Sequence, residues 1–106
     1  MIPYAIPMTT SSLFKRVEKL LRFPSDYDFD DLLKILEAFG FELVNRKGSH
    51  NIFVLKNPLP DVDYGSDQIT IPTVKGRRVK RGYLKRVAKT LNLEVWYEKQ
   101  KLSKKG

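Results

Sequence analysis

Cysteine is absent from this 106-residue chain, and histidine occurs once, at position 50. The first absence excludes disulfides, thiolate nucleophiles and cysteine-ligated zinc or iron–sulfur centres, and it fits a reducing compartment. The second excludes multi-histidine metal sites. No apolar run approaches the roughly 20 residues of a membrane span. The segment Met1-Ile2-Pro3-Tyr4-Ala5-Ile6-Pro7 has neither a basic n-region nor a continuous apolar h-region. The expectation is a soluble, cytoplasmic protein with no membrane partner. Neither an internal repeat nor a low-complexity segment occurs, and the length suits one compact domain with a single core.

What is present is positive charge, unevenly placed. The formal net charge is +8. Residues 1–25 hold four basic and one acidic side chain, residues 26–45 one basic and six acidic, residues 46–70 three of each, and residues 71–106 twelve basic and two acidic. A basic last third facing an acidic segment points to a polyanionic partner for one surface only. From Lys99 to Gly106 the charge reads as a solvated basic tail.

Hydrophobic spacing gives the elements in order. Residues 1–10, with two prolines, read as an extended lead. Ser11 or Ser12 can cap a short helix with Leu13, Phe14, Val17, Leu20 and Leu21 at helical spacing. A second helix starts at Asp28, carries Asp30 and Asp31 in its first turn, buries Leu32, Leu33, Leu36 and Phe39, and closes at Gly40. Four aspartates within six residues here are helix-start chemistry rather than a metal site. Phe41–Asn45 and Asn51–Lys56 read as antiparallel strands. The second is apolar on both faces, so the N-terminal helix or a partner protein is expected to cover Ile52 and Val54. The segment Asp61–Asp67 resembles half a calcium loop, but Pro72 stands where the bidentate Glu belongs, so neither metal nor cofactor is expected. Gln68–Thr73 is a third strand. Lys75-Gly76-Arg77-Arg78 then leads to a third helix starting near Lys80, with Arg78, Arg81, Lys85 and Lys89 as a cationic ridge along one face. Leu93–Lys101 fits a helix or a strand.

The candidate site is Arg46-Lys47-Gly48-Ser49-His50, between the first two strands. An imidazole titrates near pH 6.5, so it can both take and give a proton at neutral pH. Two cations, a flexible glycine and a hydroxyl beside it are parts that can hold a phosphodiester. A basic Gly-Ser turn is equally ordinary hairpin chemistry.

Taken together, the segments Leu32-Leu33-Lys34, Ala38 through Val44, Lys47-Gly48-Ser49-His50-Asn51-Ile52-Phe53, Ile69-Thr70-Ile71-Pro72 and Lys80 through Val87 resemble the HicA family of bacterial toxins over residues 29 to 93. The resemblance implies an α+β fold like a double-stranded-RNA-binding domain, an α-β-β-β-α sandwich, here with an extra N-terminal helix. It divides the chain into an extension at 1–25, the domain at 26–98 and the basic tail at 99–106. It also implies ribosome-independent cleavage of messenger RNA, inhibition by a HicB antitoxin from the same operon, and a catalytic histidine in the Gly-Ser-His motif, here His50. Many relatives carry a second histidine two residues after the strand-ending proline; here Pro72 is followed by Thr73 and Val74.

RNA carries its own nucleophile, the 2′-hydroxyl, so a metal-free site needs a base, an acid and cations around the phosphorus. The expectation is His50 as general base or acid and Lys47 as electrostatic stabiliser, with Arg46 a weaker cation. Gly48 admits the phosphate and Ser49 orients the substrate or the imidazole. One histidine cannot fill both proton roles, so water, Lys47, Tyr83 or a further residue fills the other. Lys75, Arg77, Arg78, Arg81, Lys85 and Lys89 are expected to follow the RNA phosphates. The alternative is a non-catalytic RNA-binding or antitoxin-binding module of the same fold.

Overall fold

The structure is a computed structural model that describes residues 10–105; the expected extended lead lies almost wholly outside them. The order is α1 (Thr10–Leu20), β1 (Asp26–Asp28), α2 (Phe29–Ala38), β2 (Phe41–Lys47), β3 (His50–Leu55), β4 (Gln68–Pro72), β5 (Arg78–Lys80), α3 (Arg81–Thr90) and α4 (Leu93–Lys105). Strands β2, β3 and β4 form one antiparallel sheet with β3 in the middle, and β1 pairs with β5 in a second, two-stranded ribbon. This is the α+β layout expected, with the additional helix at the front.

Helix α2 begins and ends as its sequence dictates. The Asp28 carboxylate accepts a hydrogen bond from the Asp31 backbone N–H at 3.1 Å, capping the first turn. Gly40 follows the helix at φ +92°, where a Cβ would overlap the Asn57 carbonyl oxygen. That same Gly40 carbonyl accepts from the backbone N–H groups of Lys56 and Asn57 at 2.9 and 3.0 Å, which ties the end of α2 to the end of β3. The buried stripe comprises Phe29, Leu32, Ile35 and Leu36, so Ile35 takes the place expected for the half-buried Leu33. The helix is covered on two sides, by the sheet and by α1, which widens the stripe.

One face of the three-stranded sheet is core. Phe41, Phe53, Ile69 and Ile71 point into it, beneath α2 and α3, and Phe53 meets Phe29 at 6.2 Å between ring centroids. The opposite face, with Ile52, Val54 and Thr70 half-buried, has no helix of the described residues packed on it. Of the two covers expected for Ile52 and Val54, α1 is not one that the structure uses. Its apolar stripe finds partners on α2 and α4 instead: Val17 and Leu20 are wholly buried, Phe14 stacks on Tyr97 at 4.7 Å, and the buried Tyr27 hydroxyl donates to the Arg16 carbonyl at 2.9 Å.

Two further segments take a definite form in the structure. Of the two alternatives for Leu93–Lys101 the helix is the one found, with Trp96 edge-on to Phe39 at 5.4 Å, and it runs on through the basic segment to Lys105. Both serines expected as caps of α1 lie inside that helix, one and two residues past its first residue.

Candidate active site at the β2–β3 hairpin

The turn between β2 and β3 contains only Gly48 and Ser49, so Lys47 and His50 are directly paired across it. Gly48 has φ +59° at the first central position, the conformation a type II′ turn requires there, and open space surrounds it. Glycine is needed for its backbone angle, not to make room.

Which residues share a face is decided four residues earlier. The pairing steps from Leu43↔Phe53 to Asn45↔Ile52, so Val44 is an extra residue bulged out of β2. Without it, simple alternation would place Lys47 with Phe41 and Leu43 on the core side. With it, Lys47 comes onto the open face beside His50, and Arg46 turns to the other face. Paired residues on one face of antiparallel strands have Cβ atoms about 4.5–5.5 Å apart. On its other side His50 pairs with Pro72. The row Lys47–His50–Pro72 therefore crosses the end of the open face, and the first two side chains are exposed.

Beneath the turn sits a residue to which the sequence reading gave no role. Asn51 is 3% exposed and points inward. Its Nδ2 donates to the carbonyls of Ser49 and Ile71 at 3.2 and 2.9 Å, and its Oδ1 accepts from Arg46 Nε at 3.0 Å. The Ser49 carbonyl also accepts from the Thr73 backbone N–H at 2.9 Å. The available signal was parity: a polar residue in step with Phe53 and Leu55 must be buried and hydrogen-bonded. Among the described residues, the His50 side chain itself has no hydrogen-bond partner.

The expected cationic ridge divides. Arg78 is a strand residue, not a helical one. Its Nε and Nη2 donate to Asp26 Oδ1 at 3.0 and 2.8 Å, with Asp28 at 3.7 Å, and the Asp26 hydrogen bond raises its pKa further. Arg77, at φ +56°, pairs with Asp30 at 2.7 Å and lies 4.9 Å over the Phe29 ring. The two arginines thus hold β1 and the start of α2, and they neutralise the aspartate cluster, whose fourth member Asp31 pairs with Arg16 at 3.2 Å. Arg81, Lys85 and Lys89 do step along α3, exposed and free of acidic partners among the described residues. Arg81 Nε reaches the Pro24 carbonyl at 3.4 Å and Lys85 lies 5.8 Å from the Phe23 ring centre. Lys75 is exposed in the β4–β5 connection.

Among the described residues no helix is long and apolar enough to cross a membrane. Neither a curated protein nor a solved structure matches the chain. A family model described as HicA toxin of bacterial toxin-antitoxin matches residues 29–93, from the first residue of α2 to the first of α4. With more than half of its length so matched, the chain belongs to the HicA family of bacterial toxin–antitoxin toxins.

Proposed function

We propose that this toxin is a metal-independent endoribonuclease that cleaves messenger RNA in the cytoplasm and is held in check by a HicB-like antitoxin. The observation that carries the reading is the pairing of Lys47 with His50 on an uncovered sheet face. An imidazole and an ammonium side by side can serve one phosphodiester. His50 takes the proton of the 2′-hydroxyl or returns one to the leaving 5′-oxygen, while Lys47 offsets the charge growing on the phosphoryl oxygens. Because the site is an open surface rather than a cavity, a polymer can cross it without threading. Ser49 and the Gly48 backbone lie at the turn where the substrate would approach.

Phosphates further along the strand would meet Lys75 and, where the RNA passes round the edge of the sheet to the side that carries α3, the cations Arg81, Lys85 and Lys89. Arg77 and Arg78 are left out of this track because their guanidinium groups are committed to Asp30 and Asp26. The second proton carrier is water, Lys47 or Tyr83.

A second reading has one observation in its favour. The single histidine has no partner to orient its ring among the described residues, which suits a non-catalytic RNA-binding or antitoxin-binding module. Chemistry separates the two. An RNA substrate in excess EDTA should be cut, and a 2′-deoxy substitution at the cut position should abolish cutting there. Cleavage that persists at the substituted position contradicts the mechanism, and binding without any cleavage establishes the module.

A further inference from the structure

We propose that Asn51 is a positioning residue for cleavage: its buried carboxamide fastens the turn carrying His50 to β4 and fixes Arg46 beside it. The inference rests on the nuclease reading above. A primary amide buried at an inward strand position must satisfy both its ends. Here two carbonyls, of Ser49 and Ile71, face Nδ2, and the Arg46 guanidinium faces Oδ1. Those neighbours also settle which end is oxygen and which is nitrogen.

The consequence falls on the peptide that joins Ser49 to His50. Its carbonyl accepts from Asn51 Nδ2 and Thr73 N, with Thr73 Oγ1 a further 3.4 Å contact. The peptide plane next to His50 is thus pinned to the end of β4, and the imidazole is carried on a turn that cannot pivot. A two-residue turn at the tip of an exposed hairpin has no such restraint by itself. The second consequence concerns Arg46. Its Nε is occupied by Asn51, while Nη1 and Nη2 have no partner among the described residues, so a planar fork is held ready for phosphate oxygens. It lies on the face opposite Lys47 and His50, so a strand bent over the hairpin end meets cations on both sides.

The test splits the two consequences. Asn51→Asp keeps an acceptor for Arg46 but loses both donors; Asn51→Val loses everything; Arg46→Gln removes the fork together with the Nε donor to Asn51 Oδ1 and leaves both Asn51 donor contacts in place. With a cleavable RNA oligonucleotide, both Asn51 variants should lose about a hundredfold in kcat, the scale of an ångström-level misplacement. KM should rise in Arg46→Gln and Asn51→Val but not in Asn51→Asp, and adding Arg46→Gln to Asn51→Val should raise it no further. A kcat loss below tenfold in the folded Asn51 variants overturns the proposal. Should both variants fail to fold, 15N relaxation of the parent decides: residues 48–50 should be as ordered as β3, and order parameters below about 0.6 there overturn it. If the parent cuts no RNA, the nuclease reading fails, and the same relaxation measurement still decides whether Asn51 holds the turn.

Discussion

Replacing Leu20 by alanine should destabilise the whole domain, although Leu20 lies outside the segment that matches the family. Leu20 is wholly buried, packed with Val17 in the same core as Leu32, Leu36 and Leu93. Truncating a buried leucine costs about 2–5 kcal/mol, combining lost transfer energy with the cavity left behind. Helix α1 packs on two helices that are fixed elsewhere, α2 by its caps and α4 by Trp96 against Phe39. Little collapse is available, so about 3 kcal/mol is the expected loss. For a domain near 100 residues, 1 kcal/mol moves Tm by roughly 4–8 °C, so the variant should melt about 12–24 °C lower. Thermal unfolding followed by far-ultraviolet circular dichroism measures this, with Lys15→Ala on the exposed face of α1 as the control. A Leu20→Ala Tm within about 3 °C of that control would show that α1 is an appendage and not part of the core.

Three other outcomes follow from particular contacts. Lys47→Gln should lower the cleavage rate by at least about a hundredfold, the usual effect of losing one preorganised charge stabiliser, whereas Arg46→Gln should act chiefly on KM; equal kcat losses would contradict the face assignment set by the Val44 bulge. Burial first, then the nearby Asp31 carboxylate, raises the Tyr27 pKa above the ordinary phenol range. The folded state therefore keeps a proton that the unfolded chain releases above about pH 10, so this part of the stability is complete below that pH and is lost progressively from there toward the raised pKa of the folded state. Urea unfolding from pH 7 to 11 should show a steeper alkaline loss in the parent than in Tyr27→Phe, and parallel curves would refute it. Finally, the Lys85→Ala/Lys89→Ala variant should bind single-stranded RNA with a log K against log salt slope shallower by about 1.4, two phosphate contacts' worth; an unchanged slope returns these lysines to a solvated face.

The parts of this molecule legible in its sequence are those set by neighbours along the chain. Asp28 before an apolar stripe and Gly40 after it mark α2 because capping and positive φ are local chemistry. Gly48-Ser49 between alternating segments marks the hairpin for the same reason, and with it the place of His50 beside the turn. What was not legible depends on pairing between distant segments. The Val44 bulge, which decides that Lys47 and not Arg46 shares a face with His50, exists only in the register of β2 against β3. The β1–β5 ribbon rests on three-residue strands whose single inward residues, Tyr27 and Val79, are too few to show a period. For that reason Arg78 read as the start of a helical ridge, when pairing with Asp26 makes it a clamp. The destination of α1 was likewise hidden, since a hydrophobic stripe states that it is covered and not by what.

The proposed nuclease activity turns on proton transfer by His50. The most direct measurement is cleavage of a labelled messenger RNA by the purified, antitoxin-free chain in excess EDTA, beside its His50→Ala variant. His50 is exposed and without side-chain hydrogen bonds among the described residues, so the variant should fold and melt like the parent. Cleavage by the parent with loss of at least about a hundredfold in the folded variant, the scale of general acid–base catalysis, is the predicted result. Equal cleavage by both proteins would contradict the assignment and place the chemistry elsewhere.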